Sequence, residues 1–379
     1  MAQRLKTDRI LFFTVVIMLS AGLLFVYSAS SIMAELKGRS PWSFLLQQAV
    51  AAAVGVPVMM LLKNTSYRKL RHPAVAFTAV GIALILLGIV YFADSAHHRW
   101  LRIGPAGLQP SEIAKPALVL FLAYFVAWRS SAINTRYTLM PVAMTVGLVV
   151  LAVIVADLGT AVVLAATTAV VFLVAGLEWR YCLVAASVAM VGVVFFIAQK
   201  PYRVARIVGY LDPEFRIIGQ FDPQERLKTY LQKSLTSRDT SYQADQSKIA
   251  VGAGGVFGQG LMQGRQKLLY LPEAHTDFIY AVVAEELGLI GAGLLLLGFL
   301  VIFWRGLRAS VLIPDEFGAY LALGISTCIV VQAMMNMSVV LGMAPTKGIP
   351  LPLISSGGSS LVSTLASLGM LMNISEHAG

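Results

Sequence analysis

Tyr270-Leu-Pro-Glu-Ala-His-Thr-Asp277-Phe-Ile-Tyr-Ala-Val-Val-Ala-Glu-Glu-Leu-Gly288 marks the point where a long polar stretch ends and a strongly apolar one begins. The join carries a carboxylate at Asp277, an imidazole at His275 and two further acids, Glu285 and Glu286. Charge at a membrane boundary is costly and cheaper to omit. A cluster of acids there suggests chemistry on something that lies against the lipid.

Outward from this join, apolar runs of about 20 residues recur along the whole chain, each long enough to cross a ~30 Å hydrocarbon core. Of 379 residues, 58% are hydrophobic and 13% charged, where an ordinary soluble domain has about 25% charged. The chain therefore reads as a polytopic membrane protein rather than a soluble one with an anchor. Ile10–Ser28 is too long for a signal-peptide core, has no clear cleavage site and is followed by more spans, so it is taken as the first span. Ten spans are expected, at roughly 10–29, 43–62, 74–92, 113–129, 138–156, 159–177, 180–199, 278–304, 317–343 and 354–374. All ten are expected to be helices, because lipid-facing backbone must satisfy its own hydrogen bonds. The predicted fold is thus all-α, one membrane domain over 1–379 with a large loop at 200–277.

Short loops set the orientation. Arg4, Lys6, Arg9, Lys63, Arg68, Lys69, Arg71, Arg129, Arg136, Arg180, Arg305 and Arg308 fall on one side, twelve basic residues. Lys37, Arg39, Arg99, Arg102 and Lys347, five, fall on the other. Both termini are therefore expected in the cytoplasm and the 200–277 loop outside. The same rule explains much of the net charge of +10, so nucleic acid is not an expected partner. Cys182 and Cys328 lie in apolar runs far apart and suggest neither a disulfide nor a metal site. In the loop, Gln224–Arg238 sets Leu227, Tyr230, Leu231 and Leu235 at helical spacing against basic residues. That suits a helix in the headgroup layer, or an ordinary loop helix packed on the spans.

Besides the join, three further places carry polar residues at span ends. Asp277 or Thr276 could cap the eighth span; Glu285 and Glu286 lie too deep for capping and should face protein or water and pair with a cation. Arg99-Trp100-Leu-Arg102-Ile-Gly leads to Gln109-Pro-Ser-Glu112-Ile-Ala-Lys115, where Glu112 and Lys115 can share one helix face. An intrahelical ion pair and an interfacial Trp100 are the plainer alternative, although a buried ammonium needs a reason. Pro345-Thr-Lys347-Gly-Ile-Pro350-Leu-Pro352 is extended, and Ser355-Ser-Gly-Gly-Ser359-Ser then opens the last span. Free N–H groups among small residues there could hold an anion, or simply be a closely packed helix start. Asp157 sits in a very short turn where capping of the sixth span is the simpler role. The glycine-rich run 252–260 lacks a strand before it and is rejected as a nucleotide loop.

These motifs together resemble the SEDS family of bacterial cell-wall polymerases, with its FtsW and RodA branches. The resemblance spans nearly the whole chain. Gly264-Arg-Gln-Lys267 and Thr346-Lys347 look more like the FtsW branch, whereas Val155-Ala156 and Ser356 depart from the usual pattern. The resemblance implies a peptidoglycan glycosyltransferase that joins lipid II units into glycan strands at the outer face of the bacterial cytoplasmic membrane. It implies a role in division or elongation beside a class B penicillin-binding protein and other division or elongation proteins. The family's essential aspartate corresponds to Asp277, and its polar groups on the fourth span to Glu112 and Lys115.

That chemistry suits the residues. A sugar hydroxyl attacks an anomeric carbon whose leaving group is a lipid pyrophosphate, and Asp277 is expected to be the general base. The leaving group needs charge neutralisation rather than a proton, so no second carboxylic acid is required. Lys115, Arg102, Lys347 or a divalent cation, Mg or Mn, would supply it; no organic cofactor is expected. Arg102, Glu112, Lys115, His275, Lys347 and Ser359 are the candidate substrate-binding residues, supported by Trp100, Asp157, Glu285 and Glu286. Two rival readings are a lipid II flippase and a non-catalytic division scaffold. The clustering of ionisable residues toward the outer side favours surface chemistry over a path through the bilayer.

Overall fold

The computed structural model describes residues 7–94, 98–103, 106–199, 201–212, 241–268, 270–345 and 348–378. Lys347 and the amphipathic stretch Gln224–Arg238 lie outside them, and of Arg102 only the backbone is described.

The described chain forms α1 (Arg9–Leu36), α2 (Ser43–Asn64), α3 (Pro73–Ala93), β1 (Leu101–Ile103), β2 (Ala106–Leu108), α4 (Pro110–Trp128), α5 (Arg136–Ala156) and α6 (Leu158–Val174). It continues through α7 (Trp179–Ala198), α8 (Pro201–Leu211), α9 (Ser241–Gly254), α10 (Ile279–Leu312), α11 (Glu316–Val340) and α12 (Gly358–His377). Each of the ten expected spans meets a helix. Eight are long and apolar enough to cross a membrane; α6 is shorter, and α12 carries Ser360, Ser363, Thr364, Ser367 and Asn373 buried. A helix enclosed by protein does not face lipid, so its hydroxyls can pair with neighbouring backbone. Ser363 Oγ does so, donating to the carbonyl of Glu112 at 2.6 Å.

Burial ranks the helices. The spans of α4 and α11 are the most enclosed, α12 packs against α2, and α11 contacts α4, α6, α10 and α12. By contrast α7 buries none of its residues. Ion pairs join the chain ends to one face of the bundle: Asp8 with Arg305 at 2.7 Å, Lys63 with Glu376 at 2.7 Å and Arg71 with Asp315 at 2.8 Å. This is the terminal end; the opposite end, which carries the described residues of the 94–110, 255–278 and 345–357 segments, is the loop end.

Two features depart from the sequence expectation. A small antiparallel hairpin pairs Leu101 with Leu108 and Ile103 with Ala106, a strand length too short for periodicity to reveal. The eighth span, expected at 278–304, is two helical pieces within α10. Gly288 breaks the helix at φ 65°, ψ −162°, a left-handed conformation that glycine adopts without a Cβ penalty. Ile279–Glu286 before the break is wholly buried, whereas Leu289, Ile290, Leu294 and Leu297 after it are exposed and apolar. Lipid contact therefore starts at the break, and Glu285 and Glu286 belong to the enclosed piece rather than to depth within a continuous span.

Candidate active site

Asp277 stands in the turn before α10, half-buried at the loop end. It does not cap the helix: the cap position is Phe278, which has no side-chain cap bond, and Thr276 Oγ1 donates to Glu273 instead. The turn is fixed by α11 and the 348–357 segment. Asn336 Nδ2 donates to the carbonyls of both Asp277 and Ile349, each at 2.7 Å. Ser356 N–H donates to the His275 carbonyl at 2.9 Å, and Ser355 Oγ to that of Thr276. Buried backbone that must find partners is thus satisfied by two loops that hold each other.

Arg99, which the sequence did not single out as a site residue, is the cation whose charge acts on this carboxylate. Its Nη2 lies 3.6 Å from Asp157 Oδ2 and donates to the Gly348 carbonyl at 3.3 Å. Gly348 is also where a Cβ would stand 2.6 Å from Asp277 Oδ2 and 3.8 Å from Arg99 Nη1. Asp277, Arg99, Asp157 and Gly348 therefore share one corner. Burial raises the Asp277 carboxyl to about 7; Arg99 opposes the rise, while Glu273 and Asp157 add to it. A signal for Arg99 existed: it and Asp157 are opposite charges in two short loops assigned to the same side.

Asp157 caps α6, accepting from Gly159 N–H at 2.9 Å and Thr160 N–H at 3.2 Å, and pairs with Arg99 through its other oxygen. Trp100 is 39% exposed on the hairpin, within 6.0 Å of the Arg99 guanidinium. His275 is buried with its ring edge-on to Phe44 at 4.6 Å. Burial pushes its imidazole below the ordinary range, with Lys37 acting the same way and Glu273 against.

Glu112 and Lys115 form the intrahelical ion pair at 2.7 Å, enclosed in the bundle. Lys115 Nζ donates to Gln332 at 2.6 Å, and Gln332 to the Pro350 carbonyl at 2.8 Å. Gln332 is one turn before Asn336 on α11, so the pair reaches the Asp277 turn through that helix and not by contact. The cavity beside Lys115 is about 20 Å³, space for about one water and not for a sugar. Ser359 Oγ accepts from Gln109 N–H at 3.2 Å, joining α12 to the hairpin.

Of the two acids expected to pair with a cation, one does. Glu286 meets Lys267 Nζ and Ser28 Oγ, both at 2.6 Å, and accepts from Met262 N–H at 3.0 Å. Glu285 binds backbone instead, accepting from Arg265 N–H at 2.7 Å and Gln266 N–H at 3.2 Å. Both hold the 259–268 loop. Among the described residues, no group of three His, Cys, Asp or Glu side chains is placed to hold a metal.

Comparison with known proteins gives the same outline over the full chain. The family model FtsW/RodA/SpoVE, described as cell cycle protein, matches residues 8–379. The chain is 38% identical to a probable peptidoglycan glycosyltransferase FtsW of Geobacter sp. (strain M18), covering 98% of this chain and 97% of that one. It is 34% identical to stage V sporulation protein E of Bacillus subtilis, covering 99% of each. Among solved structures, one concerning coordination of polymerization and crosslinking by a peptidoglycan synthase complex superposes with TM-score 0.74 at 28% identity, over 98% of both chains. The rod shape determining protein RodA of Thermus thermophilus superposes with TM-score 0.68 at 26% identity, over 99% of this chain and 98% of that one.

Proposed function

The chain belongs to the FtsW/RodA/SpoVE family, and from that premise we propose that it is a peptidoglycan glycosyltransferase polymerising lipid II. The observation that carries this reading is the corner in which a near-neutral Asp277 carboxyl shares Arg99 with Asp157 at the loop end. A general base works best when its pKa lies near the working pH, and burial brings Asp277 there. Asp277 takes the proton of the attacking sugar hydroxyl. The new glycosidic bond forms at the anomeric carbon as its bond to the pyrophosphate oxygen breaks, and the leaving group departs with the electron pair. Arg99 meets that developing charge, since a guanidinium offers a planar fork suited to phosphate oxygens.

Arg102 and Lys347 flank Arg99 and Gly348 in sequence and would extend the cationic rim. A divalent ion, Mg or Mn, arriving with the pyrophosphate would add charge neutralisation of the kind metals supply, held chiefly by the pyrophosphate oxygens and leaving Asp277 free as the base. Glu112, Lys115, His275 and Ser359 act as support: they fix the loops that carry Asp277 and Arg99. The loop end faces the outside of the bacterial cytoplasmic membrane, in keeping with the basic residues of the opposite side. Crosslinking of the product falls to a class B penicillin-binding protein, in division or elongation.

The test uses purified chain in liposomes with lipid II, with and without such a transpeptidase and with Mg or Mn. Asp277→Asn is expected to fold, to unfold no lower than wild type and to make no glycan. Normal glycan synthesis by that variant would remove the base assignment. Transport of labelled lipid II without polymerisation would favour a flippase.

A further inference from the structure

From Ile249 to Gly264 the chain runs for sixteen residues without an Asp, Glu, Lys or Arg, in a segment between spans, and it is bracketed by Lys248 and Arg265. Extramembrane loops seldom lack charge for so long, and here the apolar side chains are not tucked inward. Phe257 is 82% exposed, and Val256, Leu261 and Met262 are exposed beside it.

The place where this turn is fastened gives its surroundings. Leu289 N–H donates to the Gly255 carbonyl at 2.9 Å, and Ile290 N–H to that of Val256 at 3.3 Å. Gln259 and Gly260 N–H donate back to the carbonyls of Glu285 and Glu286, both at 3.0 Å. The backbone groups freed by the break at Gly288 are thus satisfied by the turn. Gly258, at φ 83°, lies so close to the Glu286 carbonyl that a Cβ would overlap it. Val256 and Phe257 are therefore held level with Leu289 and Ile290, the first exposed apolar residues of the span. From Leu289 through Leu297 the chain carries no charged residue, and Leu289, Ile290, Leu294 and Leu297 are exposed.

We propose that the Val256–Phe257 turn is a membrane-inserted wedge, seated in the headgroup and upper acyl layer of the bilayer that α10 already crosses. An exposed apolar patch of this kind marks a contact surface, and its continuity with the lipid-facing side of α10 makes lipid the occupant. Lys248, exposed apart from a loose 3.6 Å contact to Asp245, and the exposed Arg265 border the wedge, where long cationic side chains reach lipid phosphates. The wedge leads into the loop held by Glu285 and Glu286 and so toward Asp277. On the reading of Asp277 as the base, its depth sets the height of the reaction above the lipid.

The wedge can be tested without any enzymatic readout. Single cysteines are introduced by Phe257→Cys, Val256→Cys, Leu294→Cys or Lys248→Cys in a Cys182→Ser, Cys328→Ala background. They are spin-labelled, and the chain alone is reconstituted in phosphatidylethanolamine–phosphatidylglycerol liposomes. Accessibility to oxygen, which concentrates in lipid, is compared with accessibility to a water-soluble nickel chelate. The oxygen-to-nickel ratio at 257 and 256 is expected to be several-fold above that at 248 and to approach that at 294. A ratio at 257 and 256 equal to that at 248 places the turn in water and overturns the proposal. Shielding from both reagents means that protein covers it and overturns the proposal equally. Loss of polymerisation by Asp277→Asn bears on the catalytic reading alone and leaves this result unchanged.

Discussion

Arg99 is held by Asp157, Nη2 to Oδ2 at 3.6 Å, while it also offsets the charge of Asp277. One guanidinium thus acts on two carboxylates, touching Asp157 loosely and Asp277 only through its field. A cation held loosely keeps donors to give when a pyrophosphate arrives. Asp157 is itself fixed as the cap of α6, so it holds Arg99 in place without being able to follow it.

Removing that cation has a signed consequence. Arg99 lowers the Asp277 pKa, so Arg99→Ala raises it further. The acidic limb of kcat/KM then moves to higher pH, because more base is needed to ionise the carboxyl. The rate at the optimum falls about 10²–10³-fold, the scale for losing one donor to a developing charge. Arg99→Lys keeps the charge and loses the fork, so its limb stays near wild type while its rate falls less. Initial rates of lipid II polymerisation across neutral pH check both; an unmoved limb in Arg99→Ala would separate Arg99 from Asp277.

Asp277 also makes stability depend on pH. Its carboxyl is raised from an ordinary 3.8 to about 7 by burial, so the folded chain holds the proton more tightly than the unfolded chain. The folded state is favoured fully below the unfolded value, and that advantage is lost as pH rises from about 4 through about 7. Asp277→Asn has no such charge to bury. Its thermal transition should match wild type in acid and exceed it at pH about 8, a site strained for function and relieved by mutation. Equal transitions at both pH values would show that Asp277 is not desolvated in the folded chain.

Much of this was legible in the sequence, and the failures have physical causes. Apolar runs announced the spans because lipid imposes one rule on every residue that faces it. The break at Gly288 was hidden because a buried helix and a lipid-facing helix are both apolar; only exposure separates Val282 from Leu289. Glu112 and Lys115 were legible as a helix pair by their spacing, but spacing does not say whether the pair faces substrate or protein. Asp277 stood out because charge at a boundary is rare. The cation acting on it did not, since Arg99 precedes the strand that holds Arg102 and only the fold shows that Arg99 reaches Gly348 and Asp157.

The loop that carries Lys267 depends on a buried charge pair. Lys267 Nζ and Glu286 Oε1 are 2.6 Å apart with both side chains enclosed. Lys267→Met leaves a carboxylate with Ser28 and one backbone N–H for company, and unpaired buried charge costs about 3–5 kcal/mol. Lys267→Met with Glu286→Gln should recover much of that loss. Thermal unfolding of the two single variants and the double variant in detergent gives the coupling. Additive losses would mean that the two side chains do not act as a pair.

Gly348 offers the narrowest test of the corner, because it changes one methyl group and no charge. A Cβ there would stand 2.6 Å from Asp277 Oδ2, closer than side chains tolerate, so Gly348→Ala must move the carboxylate or the 348–350 backbone. That backbone is anchored by Asn336 at Ile349 and by Gln332 at Pro350, which makes the carboxylate the part that yields. A base displaced by a fraction of an ångström loses its alignment with the hydroxyl, and a misplacement near 1 Å costs about 10²-fold. The expected result is a kcat reduced tenfold or more, with KM and the thermal transition little changed. A KM that rises with kcat intact would instead assign Gly348 to binding. An unfolded variant would show that the loop packing, rather than the carboxylate, had taken the strain.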